Sequence, residues 1–374
     1  MPREKNFKKL VRARAAKTGE SYTAARAHFV TPPPRPAIDP DAGALTRALA
    51  AAGVLNPHSG QPFTEALAFG LGGGIGFQYM VFVYDGWTSI ALDGRCNTLY
   101  FEKRGFLENA CARLGVPVRV AQLPTPETAE KRLRQALAAA PEVVLTIDQT
   151  RLSGRSGDLP DDPAVPYLPC PVTIAERGAE LAVTGLPGGR VTMSWPELLE
   201  ARWTHQKKYG GLFLFGTPTD PPELATEIRA AIARTAECLL EPSRTSYDGN
   251  FGLPGLRKWA RMLTDEKDPK GWPTLCPDDE SRRAGMLSVR RGLGEAASRP
   301  LFAAFLAEAA ALLDGTKDGA KLADAAATYT ELGHRWAKLL ESTADADPAD
   351  LAAQLPELAD AEEAAALALP GRDS

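Results

Sequence analysis

The groups in this 374-residue chain that can carry chemistry are five cysteines, four histidines and 47 carboxylates, and their spacing excludes several kinds of site. Cys96, Cys111, Cys170, Cys238 and Cys276 form no C-x-x-C, so neither a zinc site nor a disulfide framework is indicated, and reduced thiols packed in cores are expected. H-E-x-x-H, G-x-S-x-G and a calcium loop are absent; "DADPAD" lacks the glycine and closing glutamate of the last. No metal and no cofactor are expected. The run "HSGQPFTEALAFGLGGGIGF" (58–77) accommodates neither G-x-G-x-x-G nor G-x-x-x-x-G-K-[ST], because the third glycine falls on Ile75 or Phe77 and no lysine follows. It is no phosphate cradle, and its glycines read as a place where helices and a strand approach closely beneath a pocket.

Each remaining candidate has two readings. His58, in a turn, is a general base or only a turn residue. Glu65 binds a substrate amine or complements a helix dipole. Gly72, Gly73 and Gly74 line a substrate pocket or serve packing. Arg95, after "LDG", clamps a carboxylate or phosphate, or enters a structural ion pair. Asp148 ends a strand, where side chains line pockets or accept turn hydrogen bonds. Cys170 is a nucleophile activated by His58 or His205, or an apolar core filler. His205 belongs to a basic loop, "ARWTHQKKYGG", and His334 is expected to pack among helix-core residues.

The elements that must position these groups follow from periodicity. Residues 1–30 read as a basic helical hairpin, with eight Lys and Arg against two Glu in the first 26, and 31–40 as a stiff proline-rich linker. Residues 41–218 alternate helices and strands: "AGALTRALAAAG" and "PFTEALAFG" are helices, "FQYMVFVY", "TSIALD", "VPVRVAQL" and "PEVVLTID" strands. "PVTIAE", "AELAVTG" and "RVTMSW", separated by turn signals, form an antiparallel hairpin series. "SWPELLEAR" opens with capping-box spacing at Ser194 and Glu197, and "GGLFLFG" is a further strand. The pattern is α+β rather than doubly wound. Residues 219–341 read as an all-α helical domain and 342–374 as an acidic, alanine-rich tail, either a loose helix or disordered.

Forty-three Lys and Arg against 47 Asp and Glu give net charge -4, so a general nucleic-acid partner is not indicated outside the basic N-terminus. No apolar run reaches the roughly 20 residues of a membrane span, and the charged start has no hydrophobic region behind it, so no membrane partner and a cytoplasmic location are expected. Oligomeric state is open, with a homo-oligomer allowed.

The ordered set "PFTEALAFGLGGGIGF", "LDGR", "VVLTID" and "MSWPELLEAR" resembles the butirosin biosynthesis protein H-like family. "NFGLPGLRKWARML", "DPKGW", "RPLFAAFLAEAAALL" and "YTELGHRWAKL" resemble the domain of unknown function that commonly follows it; together the likeness covers most of 40–341. The resemblance implies a cysteine-peptidase-like N-terminal domain. It also implies an acyltransferase chemistry, in which a thiol carries an acyl group from a carrier protein to an amine. The family's His-Cys pair, counted back from Gly53, falls on Asp39 and Pro40, and its second histidine falls on Cys170; its usual aspartate has no counterpart in "VTGLPGG". The leading expectation is a butirosin-H-like protein of specialised metabolism that has lost the acyl-transfer dyad and binds an acyl or peptidyl small molecule or a partner protein. The alternatives are an active acyltransferase or amide-cleaving enzyme using Cys170, and an interaction module acting through the basic N-terminal hairpin.

Overall fold

A computed structural model describes residues 39–371 except 57–58, 85–86, 102–103, 153–168, 187–188, 203–208, 217, 219–221, 243–247, 295 and 342–346. The basic hairpin, most of the linker, His58 and His205 lie outside the described residues.

Helix α1 (Pro40–Ala51) begins where the proline run ends. Asp39, read from sequence as linker, is its N-cap: Asp39 Oδ1 accepts from the Ala42 amide at 2.8 Å, and Pro40 occupies the first turn, where a missing donor costs nothing. Helix α2 (Glu65–Gly72), capped by Thr64, runs into the hairpin β1 (Ile75–Tyr84) and β2 (Trp87–Arg95). Next come α3 (Thr98–Phe101), α4 (Phe106–Arg113), β3 (Val118–Leu123), α5 (Pro126–Ala139), β4 (Val143–Asp148) and β5 (Pro169–Arg177). The sheet is completed by β6 (Glu180–Leu186), β7 (Gly189–Met193) and, after α6 (Trp195–Arg202), β8 (Tyr209–Phe215).

The larger sheet has the order β3-β8-β4-β5-β6-β7, and every pairing is antiparallel. The fold is α+β, as the sequence pattern indicates. Alternation along β4 and β5 sorts their side chains. Val143, Leu145 and Ile147, with Val172 and Ile174, join Leu133 of α5 and Leu198 of α6 in one apolar layer. The opposite face carries Thr173, which α1 crosses, with Arg47 Nε donating to Thr173 Oγ1 at 3.1 Å.

The rest is helical: α7 (Leu224–Leu240), α8 (Gly252–Met262), α9 (Trp272–Leu275), α10 (Asp279–Leu293), α11 (Arg299–Leu312), α12 (Lys317–Glu341) and α13 (Pro348–Leu367). Two expectations need correction here. The stretch read as a tail contains α13, capped by Asp347, which buries Leu351, Leu355, Leu358 and Glu362 on one stripe; its alanine-rich composition hid that periodicity. His334 does not pack in the core: its side chain is 74% exposed beside Glu331, while Leu332, Trp336 and Leu339 take the buried side of α12.

The two halves share one apolar core, which runs from α1, α2 and α4 through the β1–β2 hairpin into the helices. Phe77 of β1 stacks on Trp259 and Trp336, with ring centroids 5.9 and 6.2 Å away. Arg299, fully buried, donates through Nη1 to the carbonyls of Gly76 (3.1 Å) and Gly94 (3.0 Å), one on each hairpin strand. Its Nε donates to Glu362 Oε1 at 2.7 Å, and Trp336 Nε1 donates to the same oxygen at 2.6 Å. A single guanidinium therefore ties the hairpin to the last helix.

Candidate functional site

The N-terminus of α1 is where the family resemblance puts a nucleophile, and it holds carboxylates gathered on an arginine. Arg95, at the end of β2, donates through Nη1 to Asp39 Oδ2 at 3.0 Å and to Asp41 Oδ2 at 2.7 Å. Asp93 Oδ1 accepts from the Arg95 amide at 2.8 Å. Burial raises the pKa of Asp39 and of Asp93 above the ordinary carboxylate value, against the pull of Arg95, while the three carboxylates hold Arg95 in its charged form. Among the described residues no group of three or more His, Cys, Asp or Glu is placed to hold a metal ion. The cluster is centred on a guanidinium instead.

Cys170 stands at the start of β5 opposite Ile147. It has the same strand parity as Val172 and Ile174 and joins their apolar layer, at the strand end where Gln149 and the α1 charges of Asp41, Asp39 and Arg47 also act on the thiol. The thiol is 1% exposed, Sγ contacts the carbonyls of Pro171 (3.6 Å) and Gly185 (3.9 Å), and burial pushes its pKa up to about 12. A thiol so placed gives almost no thiolate near neutral pH, which favours the core-filler reading of Cys170 over the nucleophile reading. Asp148, the strand-end catalytic candidate, is buried at the end of β4 with Arg151 Nε 3.5 Å away. Glu65 is the first residue of α2, half-buried, and its charge acts on Arg47, whose Nη2 is buried without a hydrogen-bond partner among the described residues.

The glycine run is occupied by protein. A Cβ on Gly72 would stand 2.4 Å from the Phe106 ring, on Gly73 2.5 Å from Thr98, and on Gly74 2.8 Å from Thr235 Oγ1. Side chains of α3, α4 and α7 fill the space these three leave, which favours the packing reading of the glycines over a substrate-lining one. Gly74, at φ 64°, also takes a left-handed conformation that side chains disfavour. The carbonyls at the end of α2 are satisfied from the same neighbours: Asn109 Nδ2 donates to Gly72 O at 2.9 Å and Arg113 Nη1 to Leu71 O at 2.9 Å.

The glycines act on the site at one remove. The Phe106 ring that fills the space beside Gly72 carries the Arg95 guanidinium 4.4 Å above its centroid. Gly72→Ala is expected to displace that ring and cost about 1–3 kcal/mol of stability. Gly249→Ala, where no atom lies within 4 Å of the added Cβ, is the near-neutral control. Urea unfolding of the two variants checks this, and equal midpoints would refute it.

A cleft of about 600 Å³ starts at this cluster and runs between β2 and α10. Asp39, Asp93 and Arg95 line one part; residues Thr88 to Leu92 form one wall, and Ser281, Ala284, Ser288 and Arg291 of α10 the other. The volume is within the usual ~300–1,000 Å³ of small-molecule sites. Among the described candidate residues Arg95 lines this cleft; Asp39 entered only as linker and as the position of the family's His-Cys pair, Asp93 stood in "LDGR" without an assigned role, and α10 lay unmarked within the helical domain. The small residues of α10 at three- and four-residue spacing were the signal available for that wall.

Residues 42–153 match the family described as butirosin biosynthesis protein H, N-terminal, and residues 197–369 match a domain of unknown function (DUF4872). No curated protein matches the chain.

Proposed function

Starting from a butirosin-H-like chain, in which that N-terminal domain is followed by DUF4872, we propose a role in specialised metabolism without thiol acyl transfer at the family's usual position. The protein binds an acyl or peptidyl small molecule in the cleft between β2 and α10. The observation that carries this is the N-terminus of α1: Asp39, Pro40 and Asp41 occupy it, and the two carboxylates are engaged by Arg95. Among the described residues neither a thiol nor an imidazole stands there to attack a thioester or to deprotonate an amine. The nearest thiol by the family pattern, Cys170, is directed into the core. What remains is a small-molecule-sized cavity with charge at one part and short side chains along its helical wall. Among the described residues no helix is long and apolar enough to cross a membrane.

The protein is tested with S-acetyl-N-acetylcysteamine, a small thioester. Intact-mass spectrometry is expected to show no acetyl adduct, and the rate of thioester loss is expected to be the same for wild type and Cys170→Ala. Iodoacetamide at neutral pH is expected to label Cys170 no faster than the other four buried cysteines. An acetyl adduct on Cys170, or hydrolysis that disappears with it, would establish the relocated nucleophile instead.

A further inference from the structure

One end of the cleft carries charges of both signs that the protein leaves unengaged. The walls touch where a Cβ on Gly292 would stand 2.0 Å from the Leu92 carbonyl. Beside that contact the cleft is lined by Asp93 at the end of β2, Arg291 of α10 and Ser298. Asp93 Oδ1 accepts the Arg95 amide, and Oδ2 has no hydrogen-bond partner among the described residues. Arg291, on the facing wall, forms no ion pair among them, with Asp93 or with any other residue. Opposite charges that line one cleft from two walls without pairing suit a ligand that carries both.

Ser298 adds neutral donors at the same end. It is half-buried at the N-terminus of the 14-residue α11 with φ 62°, and Ala297 before it has φ 49°. A left-handed conformation strains both residues and persists only where the surroundings over-determine it. Arg299 Nη1 supplies that constraint by donating to the Gly94 and Ala297 carbonyls at 3.0 and 2.7 Å, and a Cβ on Gly94 would stand 2.8 Å from the Ala297 backbone. The turn is thereby locked against the segment between Asp93 and Arg95. A serine at this position ordinarily caps its helix, but neither the hydroxyl nor the amide of Ser298 has a partner among the described residues. Free donors at the positive end of a helix suit a carboxylate.

We propose that this end of the cleft binds a free α-amino acid, with its ammonium group on Asp93 and its carboxylate on Arg291 and Ser298. Pro40, Leu92 and Leu293 complete the lining, which favours an apolar side chain. Burial raises the pKa of Asp93, and an ammonium group beside it favours the charged form again. The proposal rests on the binding function stated above and names the unit that the charged end of the cleft holds.

The probe is L-leucine, titrated by isothermal calorimetry, with millimolar or tighter binding expected. Leucinamide, which lacks the carboxylate, and N-acetyl-leucine, which lacks the ammonium group, are each expected to bind about tenfold more weakly. Arg291→Gln is expected to weaken leucine by about the same factor and to leave leucinamide unchanged. Ser298→Gly fits φ 62° without strain, so it is expected to raise the urea midpoint and yet weaken leucine about threefold. Equal binding of leucinamide, or full affinity in Arg291→Gln, overturns the placement of the carboxylate; full affinity in Ser298→Gly removes that serine from the site. Equal binding of N-acetyl-leucine overturns the placement of the ammonium group, and no binding of leucine overturns the site as a whole. N-acetyl-leucinamide, acylated and uncharged, separates the two readings. If leucine fails but this molecule binds and loses affinity in Ala284→Trp, an exposed position lining the cleft, the binding function stands without the amino-acid site; if neither binds, both fail.

Discussion

Glu362→Ala is expected to cost about 3–5 kcal/mol of folding stability, the range for removing one member of a buried ion pair. Both partners are fully buried, and the truncation leaves the Arg299 guanidinium charged in a dry core while Trp336 Nε1 loses its acceptor. Arg299 still holds the Gly76 and Gly94 carbonyls, so hairpin and helices stay connected, but through a cation that nothing neutralises. Arg299→Met combined with Glu362→Leu is expected to recover part of the loss, because an apolar pair avoids the desolvation of two ions. It does not recover the bonds to the hairpin, so exchange at β1 and β2 is expected to remain faster than in wild type. Urea unfolding with native-state exchange checks both points, and a Glu362→Ala loss below about 1 kcal/mol, typical of exposed pairs, would refute the role given to the pair.

Arg95→Met is expected to cost about 3 kcal/mol near neutral pH by the same mechanism, with a distinctive pH dependence. In the folded protein the pKa values of Asp39 and Asp93 are raised by burial and pulled back down by Arg95. Without the guanidinium they rise further, so the native state binds more protons than the unfolded chain, whose aspartates titrate near about 3.9. Stability then falls as pH rises from the unfolded value through the raised folded values. The deficit relative to wild type is expected to be larger at pH 8 than at pH 5. Arg95→Lys keeps the charge but not the planar fork, and is expected to fall between the two. A deficit independent of pH would mean that the three carboxylates do not depend on Arg95.

The periodic parts of the fold were legible in the sequence, because a strand such as "VVLTID" and a capping pair such as Ser194 and Glu197 need only their neighbours; the Ser194 amide does donate to Glu197 Oε2 at 2.8 Å. The site was less legible. Arg95 meets Asp39 and Asp41 across more than fifty residues, and no local pattern announces such a pairing. The glycine run reads correctly as a close approach, but the groups that fill it, Phe106, Thr98 and Thr235, come from three separate elements. Cys170 is different: Cys170, Val172 and Ile174 alternate in "CPVTIAE", and that parity alone already puts the thiol with the core residues. Helix α13 was legible only as a loose helix or a disordered tail, since alanine and aspartate dilute a leucine stripe that becomes evident once it is packed.

The grip of Arg299 on the hairpin also has a consequence in time. Arg299 is 205 residues downstream of Gly94, and Glu362, which neutralises it, follows 63 residues later. At ordinary synthesis rates of about 5–20 residues per second, about 10–40 s separate the making of β2 from the making of the residue that seats it. During that interval the edge that later lines the cleft has no helix beside it, and an uncovered strand edge is a template for pairing with other chains. The six-stranded sheet can form while the ribosome is still at work, but the cleft can only be a product of the finished chain. Expression of the N-terminal half alone should therefore yield the sheet without the cleft.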